Sequence, residues 1–328
     1  MTTGTLLVAI ASLLWATDAA FRLPILRSIE PSTLVLLEHL LALALLIPFS
    51  RSQREPLIPR DFSQKEWIAA AWVGMGGSGF ATLLFTASFR SLNPSVAILL
   101  QKIQPVVVVA LATVFLKERP RFSFYPWAAI ALLSAIILAF PDLNFDFVSF
   151  ENMNPRSQGV IMAVSSALIW AVSTIAGKKL LNHRAPLQTT RVRYLFGALA
   201  VSLIELIRLT SDYLSMNPSP MQGISPHENW ELHRWGALIY VAWIPGLAAM
   251  SLYYTGMKRT PAVVTTFAEL LFPLGAILIN TLYLNMPLEP IQILAGATLM
   301  GAVTLITLSM KRPDSSVGPQ AFDLRIQM

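Results

Sequence analysis

Ten apolar runs recur along the chain, at 4–26, 32–49, 67–89, 94–116, 124–140, 158–178, 188–208, 235–257, 261–284 and 288–310. Each comes close to the roughly 20 apolar residues that an α-helix needs to cross a bilayer. The joins are short except at 50–66, 141–157 and 209–234. Pairs such as Arg119-Pro120 and Met286-Pro287 mark helix ends, because proline has no N–H with which to continue a helix. The pattern predicts an all-α integral membrane protein with ten transmembrane helices, closed by a polar cytoplasmic tail at 311–328. Asp18 and Arg22 interrupt the first run and no Lys or Arg precedes it, so it reads as a retained helix rather than a cleaved signal.

The runs also repeat. GTLLVAIASLLW (4–15) returns as GVIMAVSSALIW (159–170), so Trp170 follows Trp15 by 155 positions, and the same spacing maps Pro31 onto Pro186 and Glu38 onto Arg193. QKIQPVVVVALATVFL (101–116) lies over ELLFPLGAILINTLYL (269–284), with Pro105 over Pro273 at a spacing of 168. Each copy, 4–140 and 158–310, holds five runs. Five is odd, so the second copy enters the membrane upside down and the two form an inverted repeat. With the N-terminus in the cytoplasm, 17 Lys and Arg fall on that side and 6 on the other. That asymmetry is the positive-inside signature of a multi-pass inner-membrane or plasma-membrane protein with both termini cytoplasmic.

Composition narrows the function. Of 328 residues 55% are hydrophobic and 13% charged, with a mean hydropathy of +0.59, where a soluble chain carries about 25% charged residues. Little remains outside the runs for a soluble catalytic domain. There is no cysteine, hence no disulfide, thiol nucleophile or cysteine-bound metal. The net charge of +6 is accounted for by the cytoplasmic loops and calls for no nucleic acid. No serine triad, metal motif or Walker A sequence is present, so neither enzyme chemistry, nor a cofactor, nor a metal, nor ATP-driven transport is expected.

Ionisable residues inside spans cost about 2.5–3.5 kcal/mol each on insertion scales, which singles out Asp18, Glu38, His39, Lys102 and Glu269. At about 1.5 Å per residue, Asp18, Glu38, His39 and Lys102 all lie roughly 9–12 Å below the outer boundary. They are expected to form one polar cluster facing a central cavity. The competing reading is separate packing pairs, with Asp18 bonded to Arg22 one turn on. In the other copy Ser173 matches Asp18, Arg193 matches Glu38 and Glu269 matches Gln101. Pro105 and Pro273 free the carbonyls of Gln101 and Glu269. Such breaks at corresponding places in two repeats point to a transport site, although simple kinks would look the same. Trp15 and Trp170 either line the cavity or pack as bulk, whereas Trp127 and Trp235 read as interfacial anchors. Residues 74–79, Gly-Met-Gly-Gly-Ser-Gly, lack the ending of a phosphate loop and suit close helix packing. The cluster from His227 to His233 reads as a solvated loop.

The two five-helix copies, the tryptophan late in helices 1 and 6, RTPAVVTTFAELLFPLGAIL (259–278), LNMPLEPIQILAGATLMGAV (284–303) and LKERP (116–120) resemble the drug/metabolite transporter superfamily, of the EamA-like type. The resemblance implies a secondary transporter working by alternating access, an exporter of a small polar or amphipathic metabolite, with protons as a coupling option. Its implied partners are that small molecule, the lipid bilayer and, as an option, a second copy of the chain. An uncoupled exchanger and a channel or scramblase stay open beside it.

Overall fold

The computed structural model describes residues 3–52, 59, 61–115, 122–144, 153–214, 232–260 and 262–309. The segment 116–120, the tail 311–328, residues 227–231 and several basic residues of the orientation count, Arg54 and Arg121 among them, lie outside these.

In chain order the helical segments are α1 (Thr3–Leu26), α2 (Pro31–Ser50), α3 (Gln64–Ser88), α4 (Pro94–Ala110), α5 (Phe124–Ala139), α6 (Pro155–His183), α7 (Pro186–Leu214), α8 (Leu232–Arg259), α9 (Phe267–Tyr283) and α10 (Pro290–Leu308). Six of them, α1, α2, α3, α6, α8 and α10, are long and apolar enough to cross a membrane, and α4, α5 and α9 are shorter apolar helices. The 29-residue α7 carries Arg191, Arg193, Glu205 and Arg208 along its length. No strand occurs among the described residues. The protein is a multi-pass membrane protein.

The helix starts are written in the sequence. Ser63 caps α3 in a capping box: its side chain accepts from Glu66 N–H, and its own N–H donates to the Glu66 carboxylate at 2.8 Å. Asn93 and Asn154 cap α4 and α6, each followed by a proline at the first helical position, where a missing N–H costs nothing.

The helices are interrupted in matched places. Helix α4 tightens to a 3₁₀ turn at Gln101–Ile103, just before Pro105, and the helix around α9 breaks at Leu270, just before Pro273. In α3 the residues Trp72–Phe80 widen into π turns, and in α8 the residues Ala242–Ala248 do the same. Among the described residues only α1 has an unmatched break, at Thr17. The packing is equally paired. Helix α1 lies on α8 and α9, while α6 lies on α3 and α4; α2 lies on α8, while α7 lies on α3; α5 meets α10 and α4 meets α9.

Small residues let these helices approach, since lipid gives no hydrophobic drive between them. Ala128, Ala131, Ala135 and Ala139 form a buried stripe along α5. On the same helix Leu132, Leu133 and Ile136 face outward. A Cβ on Gly74 would stand 2.3 Å from Phe196, and one on Gly77 would stand 2.0 Å from Ser173 Oγ. The 74–79 stretch is therefore a packing surface against α6 and α7.

Candidate functional site

Two arrays stand out among the charged residues inside the spans. In the first, Arg22 reaches back one turn of α1 and grips Asp18 with Nε and Nη2, at 2.6 and 2.9 Å. Its Nη1 lies 3.0 Å from Glu38 Oε2 on α2 and donates to Thr86 Oγ1 of α3 at 3.1 Å. Arg22 and Glu38 are 4% and 5% exposed, so one guanidinium serves two carboxylates away from water. Such a bidentate fork is stronger than a point contact. Two acids to one base leaves the triad one proton short of neutrality. The wide turn of α8 closes over it, with Gly246 against Glu38 Oε1.

His39 belongs elsewhere. Its Nδ1 donates to the Val35 carbonyl at 2.7 Å, which assigns the proton to that nitrogen and leaves Nε2 to accept from Ser78 at 2.9 Å. Its ring lies 5.3 Å from Tyr194. The histidine is fully occupied in joining α2 to α3 and α7.

The second array is built where α4 and α9 break. Lys102 Nζ donates to the Glu269 carbonyl at 3.5 Å and sits 5.5 Å from the Phe272 ring centroid. Pro273 has removed the helical donor for that carbonyl, so the ammonium of α4 satisfies the break in α9. Its counterpart, the Gln101 carbonyl, accepts instead from Gln104 N–H within the 3₁₀ turn. Both proline-freed carbonyls thus have partners within the protein.

From Glu269 a path of contacts crosses the molecule. Tyr253 of α8 donates to Glu269 Oε1 at 2.8 Å. Trp15 lies on Tyr253 and Phe272, with ring centroids 5.0 and 6.2 Å away. Tyr253 neighbours Tyr254, whose hydroxyl accepts from Arg193 Nη1 at 3.3 Å. Arg193 Nη2 and Trp170 Nε1 both donate to the Gly77 carbonyl, at 3.4 and 2.7 Å. Gly77 lies within the π turns of α3. Trp170 also lies 5.2 Å from Phe85.

The single four-residue cluster expected from depth is therefore split. Asp18 and Glu38 meet through Arg22, Lys102 meets Glu269, and His39 turns to Ser78. Equal depth was a weak guide because it leaves the direction around each helix unset. Trp15, Lys102, Trp170, Arg193 and Glu269 do lie on one contact path. Ser173 packs beside Gly77, and both Ser173 Oγ and Gln101 Nε2 are buried without a hydrogen-bond partner among the described residues. Sequence reasoning missed Tyr253, Tyr254, Phe272 and Thr86, and took Arg22 only as a partner for Asp18. The adjacent tyrosines after the Pro245 interruption and the ring beside Pro273 were the available signals.

The model of the EamA-like transporter family matches residues 2–140 and 157–308. The chain is 29% identical over 315 residues to the riboflavin transporter ImpX of Fusobacterium nucleatum subsp. nucleatum, covering 93% of this chain and 97% of that one. It is 26% identical over 200 residues to the uncharacterized inner membrane transporter YhbE of Escherichia coli K12, covering 60% of this chain and 61% of that one. A solved crystal structure shares the fold at a TM-score of 0.60 and 19% identity, over 93% of this chain and 96% of that one. The chain belongs to the EamA-like transporter family, within the drug/metabolite transporter superfamily.

Proposed function

We propose that this protein is a secondary transporter of a planar amphipathic metabolite of the flavin class, working by alternating access. The observation that carries this reading is the aromatic group Trp15, Tyr253 and Phe272 set against Lys102 and Glu269, where two broken helices meet. An isoalloxazine offers an aromatic face for stacking and an imide edge that alternates carbonyl acceptors with an N–H donor. Lys102 supplies a donor to that edge and Glu269 an acceptor. Such a ring with a polar tail falls within the small amphipathic organic class expected above, and the likeness to a riboflavin transporter supports it.

In this reading the chain crosses an inner or plasma membrane ten times as two inverted five-helix repeats, 4–140 and 158–310, with both termini cytoplasmic. The paired helix breaks and the paired helix contacts support the repeat. The gathering of Lys65, Lys178, Lys179, Lys258 and Arg259 at one end of the bundle supports the orientation. The triad of Asp18, Arg22 and Glu38 is the coupling site, taking up one proton as the outer gate closes over it.

Purified protein in liposomes, with riboflavin inside or outside and a pH gradient of either sign, tests the reading. Saturable flux, driven in one direction by the gradient and lost in Glu269→Gln, is expected. Absence of saturable flavin flux in both orientations would sink the substrate class. Flux indifferent to the gradient would sink the coupling and leave an exchanger.

A further inference from the structure

At the end of the bundle where α1 begins, the start of α3 and the end of α6 enclose an open cleft of about 650 Å³, lined by Ser63, Lys65, Glu66, Lys179, His183 and Arg184. Arg184 is spent. Its Nε and Nη2 bind Glu66 at 2.5 and 2.8 Å, its Nη1 binds Asp61 at 2.5 Å, and its guanidinium lies 4.4 Å from the Phe62 ring centroid. Glu66 in the cleft and Asp61 beside it share this one cation, so the group keeps one negative charge, against the two positive charges of Lys65 and Lys179. Lys65, Lys179 and His183 are exposed and make no ion pair or hydrogen bond among the described residues.

The surface next to the cleft is apolar. One and two turns further along α3 from Lys65 lie Ile68 and Trp72, 64% and 44% exposed, and one turn back along α6 from Lys179 lies Ile175, 46% exposed. Beyond them α3 and α6 come close, where a Cβ on Gly76 would stand 3.6 Å from Ile169. Trp67, packed on Phe62, sits at the level where tryptophans mark the membrane interface. Unpaired cations at the headgroup level therefore stand one to two helical turns from exposed apolar side chains at the acyl level.

We propose that this cleft binds one anionic phospholipid, with the phosphate between Lys65 and Lys179 and an acyl chain along Ile68, Trp72 and Ile175. Basic pockets between transmembrane helices suit anionic headgroups in this way. The lipid would brace α3 against α6, the two helices that the Arg184 cluster also joins. This site lies apart from the aromatic array and stands whether or not that array carries flavins.

Native mass spectrometry of the full chain in detergent tests the proposal, with titrations of phosphatidylglycerol and of phosphatidylcholine. One phosphatidylglycerol is expected to be retained in preference, more weakly at high salt. The double variant K65Q/K179Q should lose that preference by roughly tenfold or more, and K65R/K179R should keep it. If the double variant melts early, K65Q and K179Q alone carry the test, each with a loss of roughly fivefold. Equal retention of the two lipids, or an unchanged preference in K65Q/K179Q, overturns the proposal. So does displacement of the lipid by an equal concentration of inorganic phosphate, which would make the cleft a site for free anions.

Discussion

Lys102 Nζ lies 3.5 Å from the carbonyl oxygen of Glu269, the acceptor that Pro273 leaves without its helical donor. The cation of one broken helix thus satisfies the break of the other. A ligand carbonyl entering the aromatic array would compete with Glu269 for the same ammonium. Lys102→Ala should weaken riboflavin binding about tenfold to hundredfold, the worth of a charge-assisted hydrogen bond. Quenching of flavin fluorescence on titration measures it, and unchanged affinity would remove Lys102 from the site.

Arg22 holds two carboxylates, and its removal strands both. Arg22→Gln should destabilise the protein by about 3–5 kcal/mol, as expected when one partner of a buried ion pair is lost. Adding Asp18→Asn and Glu38→Gln removes the stranded charges, and the triple variant should regain more than half of the loss. Thermal unfolding in detergent compares the three proteins. A triple variant no better than Arg22→Gln would mean that shape rather than charge sets the cost.

The close approach at Gly77 gives a packing test. Gly77→Ala puts a methyl group 2.0 Å from Ser173 Oγ and 2.6 Å from its Cβ, overpacking worth about 1–3 kcal/mol. Ser173→Gly in the same chain opens the space, so the pair should melt closer to the parent than Gly77→Ala alone. Additive losses would count against the α3–α6 contact.

Acid should weaken the Arg184 cluster. The hydrogen bond from Arg184 holds the Asp61 carboxyl below the usual carboxylate range. A carboxyl lowered on folding stabilises above its unfolded value, near ~4, and loses that contribution as the pH falls through its folded value. Melting temperature should therefore stay level from neutral pH to about 5 and decline below about 4. Asp61→Asn should lower the neutral-pH value slightly and shrink the decline; an identical pH profile in the variant would remove Asp61 from the effect.

Much of the architecture was legible from local chemistry. The fourth run begins at Pro94 as the apolar pattern expects, whereas the sixth helix starts at Pro155, three residues before the expected run, because its first turn is polar and set by the Asn154 cap. Pro105 and Pro273 announce the two breaks because a missing N–H has a local effect. The joining of Glu38 to Arg22 was not legible. Whether two side chains on different helices meet depends on how each helix is rotated, and an apolar run with little amphipathic contrast does not encode its rotation. His39 shows the same limit from the other side, for it is next to Glu38 in sequence yet turns toward Ser78. The π turns of α3 and α8 also left no clear mark, since one extra residue in a turn barely alters the apolar pattern.

Those turns have a consequence for how the bundle can move. A π turn stores one residue more than an α-helical turn needs, and the surplus can travel along a helix by exchanging one hydrogen bond for the next. In α3 the Gly77 carbonyl holds both Trp170 and Arg193, so migration of the surplus past Gly77 would re-aim that carbonyl and release α6 and α7 together. A single peptide group would then act as a clutch, engaged or disengaged by a shift of one residue, with no need to melt the helix around it.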